Sequence, residues 1–571
     1  MATRFAAGVW AMAAALLTAT LAACGSGPAP SASAAAKVVV ALQPQTAPDW
    51  WFPIESSSAY TNLNGQISDL MYLPLINVTP KDVVTAQGAV AQRVTWNAAG
   101  TVYHIYLRRH LNWSNGRPVT ARDVVFAWDI IKGSTAKSAP WEYGGTGSGG
   151  IPADWKSVVA TNSKEVTVTL AQRANPLWFV HNALSQIWPV PESVWNRYPS
   201  NMNRELSFIQ SIANKPTAAP YKVVDGPWAL TAARASQYWT FKPNARYSGH
   251  HATIGSLTYQ YEGSGAAIFA GLKRGTISVA YLPFSLYGSR AQLKPDVVSH
   301  VWVLGFTGIA LNETSAAPQV GGLFKKLYIR QALEMGIDQR AIVQKLYDGF
   351  AVPDYGPVPS KPGTVFYYPN LPHPYGFNPG AGKTLLERHG WAMHHGVMTR
   401  SGTALRFQLI YPAGSATDAK IVQLIQSNWA QEGVQVTLRQ LQKNSIYALS
   451  PGQSTWAASW AGNGWTYEPD YYPTGGELFA CNAASNGTGY CAGTMDRLIR
   501  NTYLPGTAAQ VSANMQAYQR YAIQQLPELW MPHYALLTVH APNVHGFNRW
   551  FNSVTYYNQP NHWTVGASTS K

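Results

Sequence analysis

Short apolar runs and amphipathic stretches alternate along the whole chain, which predicts strands and helices in alternation rather than either alone. Val38-Val39-Val40-Ala41-Leu42 is an unbroken apolar run with the length of a buried strand. Thr101 to Arg108 alternates instead, placing Tyr103, Ile105 and Leu107 on one face. Asn115-Gly116 supplies a turn, and Thr120 opens a helix that continues through Val124, Val125, Phe126 and Trp128. Thr120 suits the N-cap because its hydroxyl accepts from a first-turn N–H that has no partner inside the helix. Asp123 completes a capping-box pattern and sits well with the helix dipole.

Phe324 to Tyr347 carries Leu327, Ala332, Leu333, Met335, Ile337, Ile342, Val343 and Leu346, many of them three or four residues apart, predicting a helix that Gly336-Ile337-Asp338 divides in two. Asn378 to His389 reads as another, closed by Gly390. Leu405 to Tyr411, Ala419 to Glu432 and Val434 to Leu438 read as strand, helix and strand, a βαβ unit. No fixed repeat is present, so the expectation is an α/β architecture with more than one sheet. Two stretches lack any period. Gly144 to Gly150 reads as a mobile loop, and Ser459 to Asp470 (SWAGNGWTYEPD) as a loop rich in aromatics.

At 571 residues the chain exceeds what one core holds, so two or more domains are expected. The apolar share of 46% is enough to build them. Only 12% of residues are charged, yet the net charge is +15, because 27 acids face 42 lysines and arginines. The basic residues are scattered apart from pairs such as Arg108-Arg109 and Lys325-Lys326. That scatter argues against a nucleic-acid binder, which concentrates its cations in a stripe.

The first residues speak to location. Arg4 precedes an apolar, Ala-rich run ending Leu21-Ala22-Ala23-Cys24-Gly25, the layout of a secretory signal over residues 1–23. Leu-Ala-Ala-Cys-Gly resembles a bacterial lipobox, in which Cys24 becomes the acylated first residue. The other reading is that Cys24 is a stray apolar residue of the leader. Residues 24–37, mostly Gly, Ser, Pro and Ala, read as a flexible tether. No other segment is apolar enough to span a bilayer, so a lipid-held protein outside the cytoplasmic membrane is expected. Cys481 and Cys491 then remain, close enough for a disulfide, which an oxidising compartment favours over two free thiols.

Enzyme motifs are thin. Gly380-Ala381-Gly382-Lys383-Thr384 resembles the end of a phosphate loop, but Phe377 stands where its first glycine belongs. Ser148 and Ser264 fail the G-x-S-x-G pattern. His250-His251 and His394-His395 read as surface pairs, with no H-E-x-x-H for a metal. No catalytic residue, metal site or cofactor is expected.

Several segments, in order, resemble the extracytoplasmic solute-binding proteins of ABC importers, in the dipeptide-, oligopeptide- and nickel-binding family (solute-binding family 5). Leu107 to Val124 is similar to the family's Arg-ended strand, D/N-G turn and P-x-T-A-x-D cap. Asp225-Gly226-Pro227-Trp228 is similar to its G-P-Y turn, and Lys242-Pro243-Asn244 with Tyr247 to its N-P-x-Y. Ile329 to Asp338 resembles V-R-Q-A-L-x-x-A-I-D, and Asn378 to Trp391 the family's D-P followed by A-x-x-L-L-x-x-x-G-[WF]. Leu478 to Ile499 resembles the dipeptide-binding branch, local disulfide included.

The resemblance implies a two-lobed clamshell of the periplasmic-binding-protein type, with a discontinuous first lobe and two crossover strands. Lobe I would span 38–302 and 537–571, and lobe II 303–536, with crossovers near Val301 to Leu311 and Met531 to Thr538. It also implies a monomer that encloses a peptide or small-molecule ligand and presents the closed form to a membrane permease. In peptide-binding relatives an Asp three residues past a Trp holds the ligand's ammonium. Here that Trp is Trp460 and the third residue on is Asn463, which offers an amide oxygen and no charge. An Arg serving the peptide carboxylate in some relatives would fall at Ala457. Glu468 or Asp470 could replace the missing acid after a loop shift. Trp460, Asn463, Trp465 and Trp51 are therefore the expected ligand residues. Aromatic faces with amides also suit oligosaccharides, which makes a sugar receptor the second reading. A secreted hydrolase or cell-wall binding protein is the third.

Overall fold

The computed structural model describes residues 36–44, 46–461, 464–483 and 485–566. The leader, residues 24–35 of the expected tether with Cys24, and Asn463 lie outside these residues, and Lys37 at the tether's end already belongs to a strand.

The run at Val38 becomes the strand Lys37–Ala41, at the centre of a seven-stranded sheet. Its neighbours Ser256–Gln260 and Val279–Tyr281 are both parallel to it. A central parallel strand is covered on both faces, which explains an unbroken apolar run where an alternating one would leave polar groups inside. Tyr238–Pro243 and Trp228–Arg234 extend the sheet on one side, and Leu536–His540 and Val297–Val301 on the other.

The chain then leaves this sheet. Residues 302–304 carry it from Val297–Val301 into Gly305–Leu311, a strand of a six-stranded sheet with Gln435–Leu441, Arg406–Pro412, Ala458–Trp460, Trp465–Thr466 and Leu529–Met531. Residues 532–535 bring it back to Leu536–His540. The two crossings run side by side. Thr307 faces Met531 across the ladder, and its hydroxyl donates to the Pro532 carbonyl at 2.8 Å. The molecule is thus a two-lobed α/β clamshell whose first lobe is discontinuous.

The βαβ reading holds: Arg406–Pro412 and Gln435–Leu441 pair in parallel around the helix Ala416–Gln431. The broken helix appears as Leu327–Met335 and Gln339–Lys345. The glycines of the false phosphate loop lie in the first turn of Pro379–Arg388, where the Asn378 side chain accepts from Ala381 N–H at 3.0 Å. Cys481 and Cys491 are joined in a disulfide. A small antiparallel sheet, Ala392–His394, Val397–Arg400 and Thr403–Ala404, escaped sequence reading because its first strand is fully exposed and carries no apolar pattern.

Between Lys37–Ala41 and Trp228–Arg234 the first lobe carries a four-stranded antiparallel sheet of Ala91–Trp96, Val102–Leu107, Glu165–Leu170 and Trp155–Asn162. Tyr103, Ile105 and Leu107 point inward as their alternation requires. The capped helix Ala121–Ser134 packs on this sheet, and Asp123 does more than cap it. Its Oδ2 accepts from Thr120 N–H (2.7 Å), the Thr120 hydroxyl (3.2 Å) and Trp113 Nε1 (3.3 Å), and its Oδ1 accepts from Glu192 N–H (2.9 Å). One carboxylate therefore ties the N-G turn, the helix start and the short helix Glu192–Trp195 together. Asp123→Ala leaves several buried donors unpaired and is expected to cost about 2–4 kcal/mol, measured by denaturant unfolding.

Candidate ligand-binding cleft

The aperiodic stretch Ser459 to Asp470 forms two short strands on one edge of Gly305–Leu311. Ile309 pairs with Trp460 and Leu311 with Ala458, while Gly305 pairs with Thr466 and Phe306 with Trp465. The glycines are steric requirements. A Cβ on Gly464, whose φ is +63°, would lie 1.8 Å from the Phe306 carbonyl oxygen, and one on Gly305 would lie 2.1 Å from that of Trp465. This close approach steers the chain beyond Trp465 into the space between the lobes.

There the stretch meets the first lobe. The Thr466 hydroxyl donates to Asn62 Oδ1 (3.0 Å), and the Ser185 hydroxyl to the Pro469 carbonyl (3.0 Å). Asp470 accepts from the Ser148 hydroxyl and from Gln186 Nε2 (3.2 Å), and Gln186 Oε1 in turn accepts from the Tyr143 hydroxyl (2.6 Å). Asn182 treats Tyr472 as a strand partner, accepting from its N–H (2.7 Å) and donating to its carbonyl (2.9 Å). Gly144 to Gly150 is accordingly no mobile loop. Ser148 is buried and bonded, and Gly149 packs so tightly that a Cβ would lie 2.3 Å from Ala183 Cα.

The electrostatics of this space are one-sided. Glu55, Asp69, Glu468, Asp470 and Glu477 surround it. Burial is the first cause of the upward shift in every one of their carboxyl pKa values. Their mutual repulsion adds to it: Asp49 and Asp69 act on Glu55, Asp69 and Glu55 on Glu468, and Asp470 on Glu477. Asp470 is pushed up only to about 6, because Ser148 and Gln186 stabilise its charged form. No lysine or arginine is among the charges acting on these five. Glu468 Oε2 and Asp69 Oδ2 find no donor among the described residues. Asp69, Glu468 and Glu477 nevertheless keep accessible surface while protein encloses them, as side chains on a cleft wall do.

The expected tryptophans fare differently. Trp460 is completely buried in the second lobe's core, its Nε1 donating to Asp418 Oδ1 at 3.3 Å. Its strand turns the indole inward, away from the cleft. Trp51 is 1% exposed and stacks on Phe241. Both pack as core residues in this conformation. Trp465 is half-buried and keeps an accessible face, and Asn463 lies outside the described residues. Ala457, where an Arg would serve a ligand carboxylate, is buried. Glu468 and Asp470 both reach the cleft. Glu55 and Asp69 were missed: they are isolated acids far away in sequence, and nothing local marks them as partners of Glu468.

A family model of bacterial extracellular solute-binding proteins, family 5 (middle part), matches residues 85–479. The chain belongs to this family. It is an extracytoplasmic solute-binding protein of the ABC-importer type and not an enzyme. The oligopeptide-binding protein AppA of Bacillus subtilis is 23% identical over 468 residues, 80% of each chain. The solved structure of that protein with a nonapeptide superposes with a TM-score of 0.76 at 18% identity, covering 93% of this chain and 99% of its own. NikZ of Campylobacter jejuni, solved with Ni(L-His), gives 0.74 at 18% identity, covering 92% and 99%. At these identities the structures establish the shared fold.

The raised carboxyls make stability depend on pH. Between the unfolded value near 3.8 and the folded value of about 6, Asp470 holds its proton more tightly in the folded protein. Ligand-free stability therefore falls as pH rises through that window. Asp470→Asn keeps an acceptor for Ser148 and is expected to remove a part of this fall on the order of 2–3 kcal/mol, seen as a flatter profile of Tm between pH 4 and 7.

Proposed function

We propose that this protein is the lipid-anchored substrate-binding component of an ABC import system, which encloses a peptide or peptide-like solute between its lobes and delivers it to the membrane permease. One observation carries the ligand class. Glu468 and Asp470 bring carboxylates into the cleft from the same segment in which Asn463 lacks one. An ammonium group enclosed there gains charge-assisted hydrogen bonds that replace the water it loses. The relative solved with a nonapeptide agrees with this reading. An oligosaccharide has less support, since Trp460 and Trp51, which would provide its stacking faces, are core residues. The proposed lobes are 38–302 with 537–571, and 303–536, acting as a monomer. Their closure is a hinge equilibrium at 302–304 and 532–535, biased by a ligand that touches both sides.

A tripeptide with a free N-terminus is expected to raise Tm by several degrees at saturating concentration. Its N-acetylated form should bind about tenfold or more weaker, read by calorimetry. Equal affinity for the two forms would remove the ammonium from the reading. For the anchor, Cys24→Ser is expected to move the protein from the membrane fraction to the medium or periplasm. Retention in the membrane fraction would argue against acylation.

A further inference from the structure

The carboxylates of the cleft are more numerous than one ammonium needs, and their arrangement is not that of a single site. Two groups can be separated. Glu55, Asp69 and Glu468 gather around the helix Asn62–Met71, and Gly65 of that helix lies between two of them. A Cβ there would be 3.3 Å from Glu468 Oε1 and 3.9 Å from Glu55 Oε1. Asp470 and Glu477 form the other group, beside Ser148 and Gly147, where a Cβ on Gly147 would be 3.6 Å from Glu477 Oε2. Glu468 and Asp470, two residues apart, turn to different partners: Glu468 to Gly65 and Glu55, Asp470 to Ser148 and Gln186. Tyr60, next to the Thr61 whose N–H donates to Glu55, packs against Gly144, while Tyr143 is buried with its hydroxyl on Gln186 Oε1.

The first group is built to receive a cation rather than to support the fold. Glu55 is 8% exposed. Its Oε2 accepts from Thr61 N–H at 3.0 Å, while its Oε1 faces Glu468 across Gly65 with no protein donor among the described residues. Asp69 Oδ2 and Glu468 Oε2 are likewise without one. Three carboxyls in mutual range, each with an oxygen left over, repel one another when ionised, a repulsion that protonation or a positive group between them relieves. A single metal ion does not fit: among the described residues no three His, Cys, Asp or Glu side chains converge as a metal site. Acids are scarce in this chain, 27 against 42 lysines and arginines, yet five meet here with no basic residue acting on them. The same imbalance disfavours a ligand whose own carboxylate lies close to its amine.

We propose that the ligand of this cleft carries two positive groups a short alkyl chain apart, one held by Glu55, Asp69 and Glu468 and the other by Asp470 and Glu477, with Tyr60 beside the first. This rests on the proposed capture of an amine-bearing solute between the lobes and narrows its class. Two sources supply such a dication: a peptide whose N-terminal residue has a cationic side chain, and a linear di- or polyamine. An aromatic ring beside the first group favours alkylammonium groups over hydrated inorganic ions.

The test compares affinities of the purified protein by calorimetry at neutral pH. The probes are Lys-Ala-Ala-amide, Ala-Ala-Ala-amide, 1,4-diaminobutane and 1-aminobutane. Each dication should bind at least tenfold tighter than its monocation partner, and the preferred pair identifies the source. Glu468→Gln, Asp69→Asn and Glu477→Gln should each bring that ratio toward one. Gly65→Ala is a second probe, independent of charge removal. Alanine favours a helix over glycine, so Tm should not fall, while the added methyl crowds the space between Glu55 and Glu468 and should weaken the dications. Equal binding of mono- and dications, or a ratio untouched by these variants, overturns the inference while leaving amine capture standing. If none of the four probes binds, amine capture itself fails, and the inference with it.

Discussion

The backbone ladder along Gly305–Leu311 is the constraint on which the rest of the molecule depends. This strand receives the chain from the first lobe, pairs on one edge with Leu529–Met531, which returns it, and on the other with Ala458–Trp460 and Trp465–Thr466. The two crossings and the cleft segment therefore share one spine. Backbone hydrogen bonds fix their register, and register fixes which side chains look inward and which into the cleft. Gly305 and Gly464 permit the approach, since a side chain on either would overlap the facing backbone. Trp460 falls on the core side of that register. The residues past Trp465 are delivered to the other lobe.

What they deliver is charge in a place where charge is expensive. An ionised carboxylate enclosed by protein loses several kcal/mol of hydration unless something replaces it. Asp470 recovers part of this through Ser148 and Gln186, which explains its more modest shift. Glu55, Asp69 and Glu468 have fewer donors, so burial and their like-charged neighbours push their carboxyls further up. In the proposed reading a cationic ligand would offset that cost, and because the carboxyls come from both sides of the cleft, it would do so by joining them. The cross-lobe contacts of Asn182 with Tyr472 and Thr466 with Asn62 are neutral, and they set the geometry without opposing it.

Much of the scaffold could be read from local pattern. The run at Val38, the alternation at Tyr103, Ile105 and Leu107, the cap at Thr120 and Asp123 and the βαβ unit after Ala404 all depend on neighbours within one turn or one strand. The four-part role of Asp123 was only half visible, because Trp113 and Glu192 reach it through the fold. In the cleft segment, sequence marked the place and two acids that the fold gathers there, Glu468 and Asp470. It did not show that Trp460 and Trp51 pack inside. A glycine-flanked aromatic looks exposed in a linear sequence, whereas Trp460 sits on a paired strand and turns inward.

By itself, then, the sequence determined the α/β class, the family, the broken helices, the proximity of Cys481 and Cys491 and the segment that faces the other lobe. These follow from short-range periodicity, capping and ordered motifs, which a linear chain records directly. Only the tertiary structure decided which side chains line the cleft and what sign of charge they present. Glu55, Asp69, Glu468, Asp470 and Glu477 come from two distant stretches of chain, and the repulsion of Glu468 by Glu55 and Asp69 exists only once the fold brings those stretches together. Burial does the rest, since it raises the cost of charge at positions that no local pattern distinguishes from solvated surface.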